Sequence, residues 1–339
     1  MIINSEHKLE VQGLSTIAVL AYVFYNSQII LFDEQLFKGG FIGIDILFVL
    51  TGYLITLSIY KELTIKGYFS FKIFFYQIIM RQVLPILILV IIISFPLGWF
   101  YLLPNDFVIF SSSAITSLSF ISNLIFYYSG SAFWNISVMS KPLFHTASLS
   151  ILIQFIILFP LIFIGLYKYL KSYLIFIFCF GFIISLGLAE YSSRNHPSLN
   201  FYILPTRVWE FLIGSILAHY ETKRIKKIEN NLVSLFFSII GIFLIIYSFF
   251  SFNNKILYPS SLILIPLIGV CLIIWFSNNA NFITKIISAN LFVKTGIFSY
   301  SLFLWHYPIF AFARISSVDE SQIFIKLLIL LIIVILSII

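Results

Sequence analysis

Long apolar runs separated by short polar links make up most of this chain. The first two runs flank a polar link at 33–40, and each approaches the ~20 residues that a membrane-spanning helix needs. Similar runs predict further spans near 81–103, 148–167, 173–189, 204–220, 232–250, 258–276, 290–312 and 322–339. The pattern therefore predicts an all-α, multi-pass integral membrane protein with about ten transmembrane helices.

The basic residues predict how these helices are oriented. Lysines follow the second and fourth long spans, and a basic cluster at 223–227 follows the span at 204–220. Positive charge marks cytoplasmic loops, so both termini are predicted to be cytoplasmic and the loop 129–145 external. The serine-rich segment 106–128 must then begin and end on one side of the membrane. We predict that it is a re-entrant or buried segment.

Composition supports the membrane assignment. The chain is 61% hydrophobic and 10% charged, whereas soluble domains carry about 25% charged residues. No stretch remains for a water-soluble domain, so residues 1–339 are expected to form a single transmembrane domain. The basic cluster at 223–227 predicts a topology determinant with some attraction to anionic lipid, not a nucleic-acid site. Cys179 and Cys271 lie in apolar runs and predict neither a disulfide nor a metal site.

Some charged residues lie inside predicted spans, where charge is costly and usually marks function. Asp45 is either such a functional carboxylate or a group near the helix end that reaches interfacial water. Arg207 and Glu210 are three residues apart, so they share a helix face and can form an ion pair. That pair is either structural or a site for a substrate anion. Arg81 starts the third span, as a topology anchor or as part of the polar centre.

Two histidines are candidates for catalysis. His145 precedes a span at its predicted outer mouth, where it can act as a general base. The alternative is a histidine that caps the helix at the interface. His306 lies between Trp305 and Tyr307 and before Pro308, a pattern typical of an aromatic belt with a helix stop. A catalytic role for His306 is the less favoured alternative.

Five stretches of the chain resemble, in order, the membrane acyltransferase-3 family, whose bacterial members O-acylate envelope sugars. The first stretch, 10–56, has two matching parts: EVQGLS at 10–15 resembles E-I-D-G-L-R, and GGFIGIDILFVLTGYLIT at 39–56 resembles G-G-F-x-G-V-D-V-F-F-V-I-S-G-F-L-I-T. The others are RQVLP at 81–85 (R-R-I-L-P), KPLFHTASLSILIQF at 141–155 (P-L-x-H-T-W-S-L-A-V-E-E-Q-F-Y), YILPTRVWEFLIG at 202–214 (Y-L-L-P-T-R-A-W-E-L-L-L-G) and SYSLFLWHYP at 299–308 (S-Y-S-L-Y-L-W-H-W-P).

The chain departs from the family pattern at charged and catalytic positions. Ser15 stands where the family has arginine, and Asn26 where it has the histidine to which catalysis is attributed. Leu152 and Ile153 replace two glutamates. Asparagine cannot take up a proton at neutral pH and serine carries no charge. We therefore expect very slow transfer or none, unless His145 serves as a shifted base.

The resemblance implies transfer of an acetyl-like group from a donor such as acetyl-CoA to a hydroxyl of an envelope glycan or lipid-linked sugar. It implies location in the bacterial cytoplasmic membrane, contact with membrane lipid, no bound cofactor or metal, and a separate SGNH-type partner, since the chain ends at Ile339 without that domain. The candidate catalytic residue is His145, and the candidate substrate-binding residues are Asn26, Asp45, Arg81, Arg207, Glu210 and His306.

Two other functions remain open. The first is a catalytically inactive homologue that binds glycan or acyl carrier, or supports an active partner. The second and weaker one is a transporter, because transporters also carry intramembrane charge and re-entrant segments. The hydropathy pattern shows no inverted repeat, which disfavours the transporter.

Overall fold

The computed structural model describes residues 9–31, 34–130, 139–223, 230–278, 281–316 and 323–338, and its regular structure is almost entirely helical. The first helices are α1 (Leu9–Ser27), α2 (Gly43–Lys66), α3 (Phe71–Phe75), α4 (Leu84–Tyr101), α5 (Pro104–Leu118) and α6 (Ser122–Tyr128). The next are α7 (Thr146–Leu170), α8 (Leu174–Asn195), α9 (Pro197–Tyr202), α10 (Val208–Lys223) and α11 (Asn231–Ser251). The last are α12 (Leu264–Trp275), α13 (Phe282–Ile287), α14 (Asn290–Ile297), α15 (Ser299–Ile315) and α16 (Ile323–Ile338). The predicted all-α class is confirmed.

Shorter elements complete the described fold. Two strands, β1 (Ile30–Leu31) and β2 (Glu34–Gln35), form a small antiparallel ribbon after α1. A π-helical stretch, Tyr76–Val83, joins α3 to α4. Single 3₁₀ turns occur at Gly40–Ile42, Lys171–Tyr173, Leu204–Thr206 and Ser261–Ile263.

Four helical segments are long and apolar enough to cross a membrane, namely Gly40–Lys66, Phe71–Tyr101, Thr146–Asn195 and Asn231–Ser251. The third contains 50 residues and comprises α7 and α8, which the turn at Lys171–Tyr173 separates. It therefore matches two predicted spans. The other predicted spans correspond to helices that are shorter or less apolar, so the count of ten stays a prediction. Residues 131–138 of the loop and 224–227 of the basic cluster lie outside the described residues.

Large apolar side chains cover much of the outer surface of the bundle. Trp99, Phe100, Phe176 and Leu291 each expose more than two thirds of their surface. A water-soluble monomer rarely exposes apolar patches of this extent. The surface is suited to contact with lipid, as the composition predicts.

The predicted span 290–312 differs from the structure in two respects. It is broken at Phe298, which separates α14 from α15. In addition, α15 continues through Pro308 to Ile315, so the predicted helix stop at this proline is wrong. Proline removes one backbone hydrogen bond in a helix interior, and membrane helices tolerate this where neighbouring groups satisfy the freed carbonyl.

The segment 106–128 forms parts of two short helices rather than one spanning helix. α5 and α6 are separated near Phe120, whose φ is +56°. Gln154 on α7 donates to the carbonyl oxygen of Phe120 at 2.9 Å and to Oδ1 of Asn123 at 3.0 Å. Hydroxyl pairs continue this contact, with Ser117 2.7 Å from Thr146. The broken backbone is thus satisfied by α7, which fits the predicted buried segment.

Two glycines allow α2 and α10 to pack closely along each other. A Cβ atom added at Gly52 would lie 2.0 Å from the carbonyl oxygen of Phe211, and one at Gly214 would lie 2.0 Å from that of Val49. Small residues permit such close backbone approach between membrane helices. The approach brings the first turn of α2, which carries Asp45, to the start of α10.

Candidate active site

Charged residues from two helices meet in the interior. We call the group of Asp45, Arg207, Glu210 and Tyr258 the buried charge cluster. Nη1 of Arg207 lies 3.0 Å from Oδ1 of Asp45 and 3.1 Å from Oε1 of Glu210. The hydroxyl of Tyr258 donates to the Asp45 carboxylate at 3.0 Å and accepts from Nη2 of Arg207 at 3.2 Å. The charged side chains are at most 1% exposed.

Arg207 is enclosed by protein on all sides that the structure describes. Its guanidinium carbon lies 5.1 Å from the ring centroids of Phe48 and Tyr258. Such pairing offsets part of the cost of removing charge from water. The contacts favour the structural interpretation of the Arg207–Glu210 pair. Substrate binding at Asp45, Arg207 or Glu210 stays a prediction.

A second group, the histidine cluster, comprises Asn26, His145 and His306. Nδ2 of Asn26 lies 3.3 Å from Nε2 of His306, and Nδ1 of His306 lies 3.2 Å from the carbonyl oxygen of Leu302. A carbonyl only accepts, so this network assigns the proton to Nδ1 and lets Nε2 accept from Asn26. His306 is 0% exposed, so its assignment to an aromatic belt at the interface is wrong.

His145 is enclosed by aromatic rings and by His306. Its ring lies 5.2 Å from the ring of Tyr307 and 5.8 Å from that of His306, and it is 1% exposed. The expected opening to interfacial water is therefore wrong. Within the described chain, neither ring nitrogen makes a hydrogen bond of standard geometry. The carbonyl of Leu304, which Pro308 leaves without its helical partner, lies within reach of the ring. Donation to this carbonyl leaves the other ring nitrogen as an acceptor.

Arg314 contacts the histidine cluster and is absent from the residues predicted from sequence. Nη2 donates to the carbonyl oxygen of Asn26, and Nη1 donates to that of Met139 at 3.0 Å. The arginine thus ties the end of α15 to the end of α1. One sequence feature marks it, because an arginine at the predicted outer end of a span runs against the positive-inside rule.

Arg81 is not part of either cluster. It is exposed on the π-helical stretch, and no ion pair or hydrogen bond links it to the clusters in the part of the chain that the structure describes. Tyr258 was also missed by sequence reasoning. A tyrosine at the edge of a predicted span resembles any interfacial aromatic residue, so no distinct feature marks it.

Two cavities lie on either side of His145. The polar cavity has a volume of about 520 Å³ and is lined by residues including Tyr101, Asp106, Lys141 and Leu143. Burial lowers the pKa of the Lys141 amine below its ordinary value, and the nearby Asp106 carboxylate opposes this shift. This cavity lies at the predicted outer ends of α4 and α15.

The apolar cavity has a volume of about 60 Å³ and lies between α1, α2, α7 and α15. Its lining includes Ser15, Leu152 and Phe303. The ring of Phe303 also lies 5.5 Å from that of His145, so the apolar cavity adjoins the histidine cluster at this residue.

The family description "acyltransferase domain" matches residues 16–339, nearly the whole chain. The chain belongs to the acyltransferase-3 family. It is 27% identical over 312 residues to the peptidoglycan O-acetyltransferase OatA of Listeria monocytogenes, covering 88% of this chain and 49% of that protein. It is 31% identical over 323 residues to a putative O-acetyltransferase of Staphylococcus aureus, covering 91% and 51%. No solved structure matches the chain.

A third relative has a similar extent of coverage. The putative peptidoglycan O-acetyltransferase YrhL of Bacillus subtilis is 27% identical over 312 residues, covering 88% of this chain and 48% of that protein. The chain thus spans about half the length of the curated relatives it matches.

Membership in the acyltransferase-3 family gives the departures a spatial meaning. Ser15 and Leu152, which replace an arginine and a glutamate of the family pattern, line the same apolar cavity. Two of the positions at which the chain departs from the motifs that it resembles thus lie on the walls of one cavity. Asn26 replaces the family histidine and contacts His306 instead.

Proposed function

We propose that this chain transfers an acyl group to a hydroxyl of an envelope glycan, at the outer side of a bacterial cytoplasmic membrane. The observation that carries this proposal is the position of His145. The chain passes from Leu143, which lines the polar cavity, through His145 to Ser148, which lines the apolar cavity. A sugar hydroxyl from one side and an acyl donor from the other would meet at this histidine. The names of the relatives support a glycan acceptor.

The proposed step conserves atoms and charge. A ring nitrogen of His145 takes the proton of the sugar hydroxyl, and the hydroxyl oxygen attacks the carbonyl carbon of an acyl thioester. The C–O bond forms as the C–S bond breaks. The proton then passes from His145 to the leaving thiolate. Acetyl-CoA is the donor that the family resemblance implies.

Asn26 and the neighbouring Arg314, which is not a member of the histidine cluster, act on position and charge. Asn26 donates to His306 and so holds its tautomer. Arg314 places a guanidinium beside Asn26, and we assign to it the stabilisation of the negative charge that develops on the carbonyl oxygen of the donor. His145 remains the only member with a nitrogen lacking a standard hydrogen bond among the described residues of this cluster.

Turnover is expected to be slow. Loss of a general base alone costs about 10²–10⁴-fold in rate, and loss of an oxyanion-stabilising group costs about 10²–10³-fold. Asn26 and Ser15 stand at the positions where the family pattern carries such groups, so His145 has to compensate without them.

The test is envelope-glycan acylation, measured by mass spectrometry in cells with and without this chain. We expect acylation to depend on the chain and to fall about 100-fold or more in His145→Ala. His196→Ala, which changes an exposed histidine, is the matched control and should retain full acylation. Equal acylation by the unchanged chain and by His145→Ala would refute the assignment of His145 as the base.

One observation favours the inactive homologue as a second candidate. The family charges at the positions of Ser15 and Leu152 are lost together, on the walls of one cavity. If cells with and without the chain show the same glycan acylation, while the purified protein still binds glycan fragments, the chain is a binding or partner protein.

A further inference from the structure

We propose that the apolar cavity holds the hydrocarbon chain of the acyl donor, and that this chain is longer than acetyl. The inference rests on the proposed function, because it names the donor of that same site. The lining contains apolar side chains, three serines, Thr51 and Tyr300, and no charged residue among the described ones. A volume of about 60 Å³ exceeds the roughly 10–15 Å³ that one water molecule requires.

Four of the five hydroxyl groups of the walls donate to backbone carbonyl oxygens. Ser15 donates to the carbonyl oxygen of Gln12 at 2.7 Å, and Thr51 donates to that of Leu47 at 2.7 Å. Ser299 donates to the carbonyl oxygen of Gly296 at 2.8 Å, and Tyr300 donates to that of Val83 at 3.1 Å.

These internal bonds use the donor capacity of the four hydroxyl groups, and most of the other lining side chains are apolar. A buried water needs two to four polar partners, and apolar cavities instead stay dry and take up hydrocarbon. The phosphates of a carrier would find no cationic partner among the lining residues, and burying them unpaired is costly. Methylene groups fit the walls without such a cost.

The cavity is placed to present an acyl carbonyl to His145. Phe303 lines the cavity and its ring lies 5.5 Å from that of His145. Leu47 and Thr51 are half-buried, whereas the other lining residues are buried. One turn of α2 is therefore the least enclosed part of the lining. A hydrocarbon chain with its free end beside this turn would have its carbonyl on the Phe303 side, toward the histidine cluster.

The experiment uses the full chain in lipid nanodiscs and a photoactivatable octanoyl-CoA with a diazirine at the chain end. We expect cross-links on peptides of α1, α2, α7 or α15 that contain lining residues. Unlabelled acyl-CoA should compete about fourfold better for each added methylene until the cavity is filled. Equal competition by acetyl-CoA and octanoyl-CoA would overturn the proposal.

Substitutions at one position test the cavity itself. Leu152→Trp fills it and should reduce labelling about tenfold or more, whereas Leu152→Ala enlarges it and should shift preference to longer chains. Leu158→Trp, on the outer face of the same helix at 47% exposure, is the matched control and should label normally. Unchanged labelling in Leu152→Trp would overturn the proposal.

The labelling needs no turnover, so its failure is distinguishable from failure of the proposed function. Chain-length-selective labelling without glycan acylation keeps the cavity assignment and refutes only the transfer activity. Glycan acetylation without such labelling keeps the transfer activity and refutes the cavity assignment. A diazirine-bearing phospholipid that labels the same peptides and is not displaced by octanoyl-CoA would assign the cavity to bilayer lipid, which overturns the proposal.

Discussion

Arg207 has three polar partners, Asp45, Glu210 and Tyr258, in the protein interior. Its positive charge balances the two carboxylates. Replacing it with leucine leaves Asp45 and Glu210 buried without their cation. Removing one partner of a buried pair typically costs about 3–5 kcal/mol. We expect Arg207→Leu to lower the free energy of unfolding by that amount, measured by denaturant titration in detergent.

The matched control for Arg207 lies on α8. Arg194 pairs with Glu190 at 2.8 Å and is 66% exposed. Exposed ion pairs contribute about 0–1 kcal/mol, so Arg194→Leu should change stability little. Equal effects of the two substitutions would contradict a structural role for the buried charge cluster.

Restoring only the arginine and the histidine of the family pattern on α1 should not fully restore transfer, for a physical reason. Ser15→Arg places a guanidinium in the apolar cavity, where no carboxylate faces it among the lining residues. The unpaired charge should cost several kcal/mol in folding free energy. Consequently Ser15→Arg with Asn26→His should not fully restore transfer.

Adding a carboxylate should relieve this cost, since Leu152 lines the same cavity. We expect Ser15→Arg with Leu152→Glu to be more stable than the sum of the single substitutions predicts, by about 0.5–3 kcal/mol in a double-mutant cycle. Purely additive effects would mean that the two positions do not face each other.

Sequence reasoning at the residue scale succeeded where partners are close in the chain. The spacing of Arg207 and Glu210 was enough to predict their pair, because helix geometry fixes it. Asp45 was recognised as costly, but its contact with Tyr258, 213 residues away, follows only from the packing of helices. The bond between Asn26 and His306, 280 residues apart, was inaccessible for the same reason.

At the scale of helices, hydropathy located the apolar segments and missed their interruptions. The break between α14 and α15 lies at Phe298, between Gly296 and Ser299, but the run 290–312 stays apolar enough on average to be taken for one span. The polarity of 106–128 did mark an unusual segment, because its serines and Asn123 pair with α7. Breaks are therefore visible in the sequence only where they change composition.

The contact between α2 and α10 predicts a strong size limit at Gly52. A Cβ there would meet the backbone oxygen of Phe211 at 2.0 Å, and backbone cannot move aside as a side chain can. Gly52→Ala should force the helices apart and cost about 1–3 kcal/mol or more. The measurement is the melting temperature of the purified protein in detergent.

Gly165 on α7 is the control for Gly52. A Cβ added there meets nothing within 4 Å, and alanine is the better helix former. Gly165→Ala should leave the melting temperature unchanged or raise it. A tolerated Gly52→Ala would show that the two helices are less closely packed than described.

For the whole molecule, residues of the histidine cluster and of the two cavities have a defined order along the predicted membrane normal. Asn26, Arg314 and Lys141 lie at the predicted outer ends of their segments, whereas Ser15 and Ser299 lie toward the inner ends of theirs. An external glycan and a donor from the inner side would thus approach His145 from opposite directions. This order holds only if the N-terminus is cytoplasmic, which the lysine distribution predicts.

That orientation is tested by labelling single cysteines from each side of the membrane. The sequence suggests Ser131 and Lys226 as probes, but both lie outside the described residues. Ser129, close to Ser131 in the chain, and Lys223, close to Lys226, are exposed and lie within the described part.

In a background with Cys179→Ala and Cys271→Ala, we expect an impermeant maleimide added outside intact cells to label Ser129→Cys and not Lys223→Cys. Permeabilised cells should label both, which controls for access. Labelling of Lys223→Cys alone would reverse the charge argument and place the polar cavity on the cytoplasmic side, where no envelope glycan could reach it. Labelling of both positions in intact cells would contradict the predicted cytoplasmic location of Lys223.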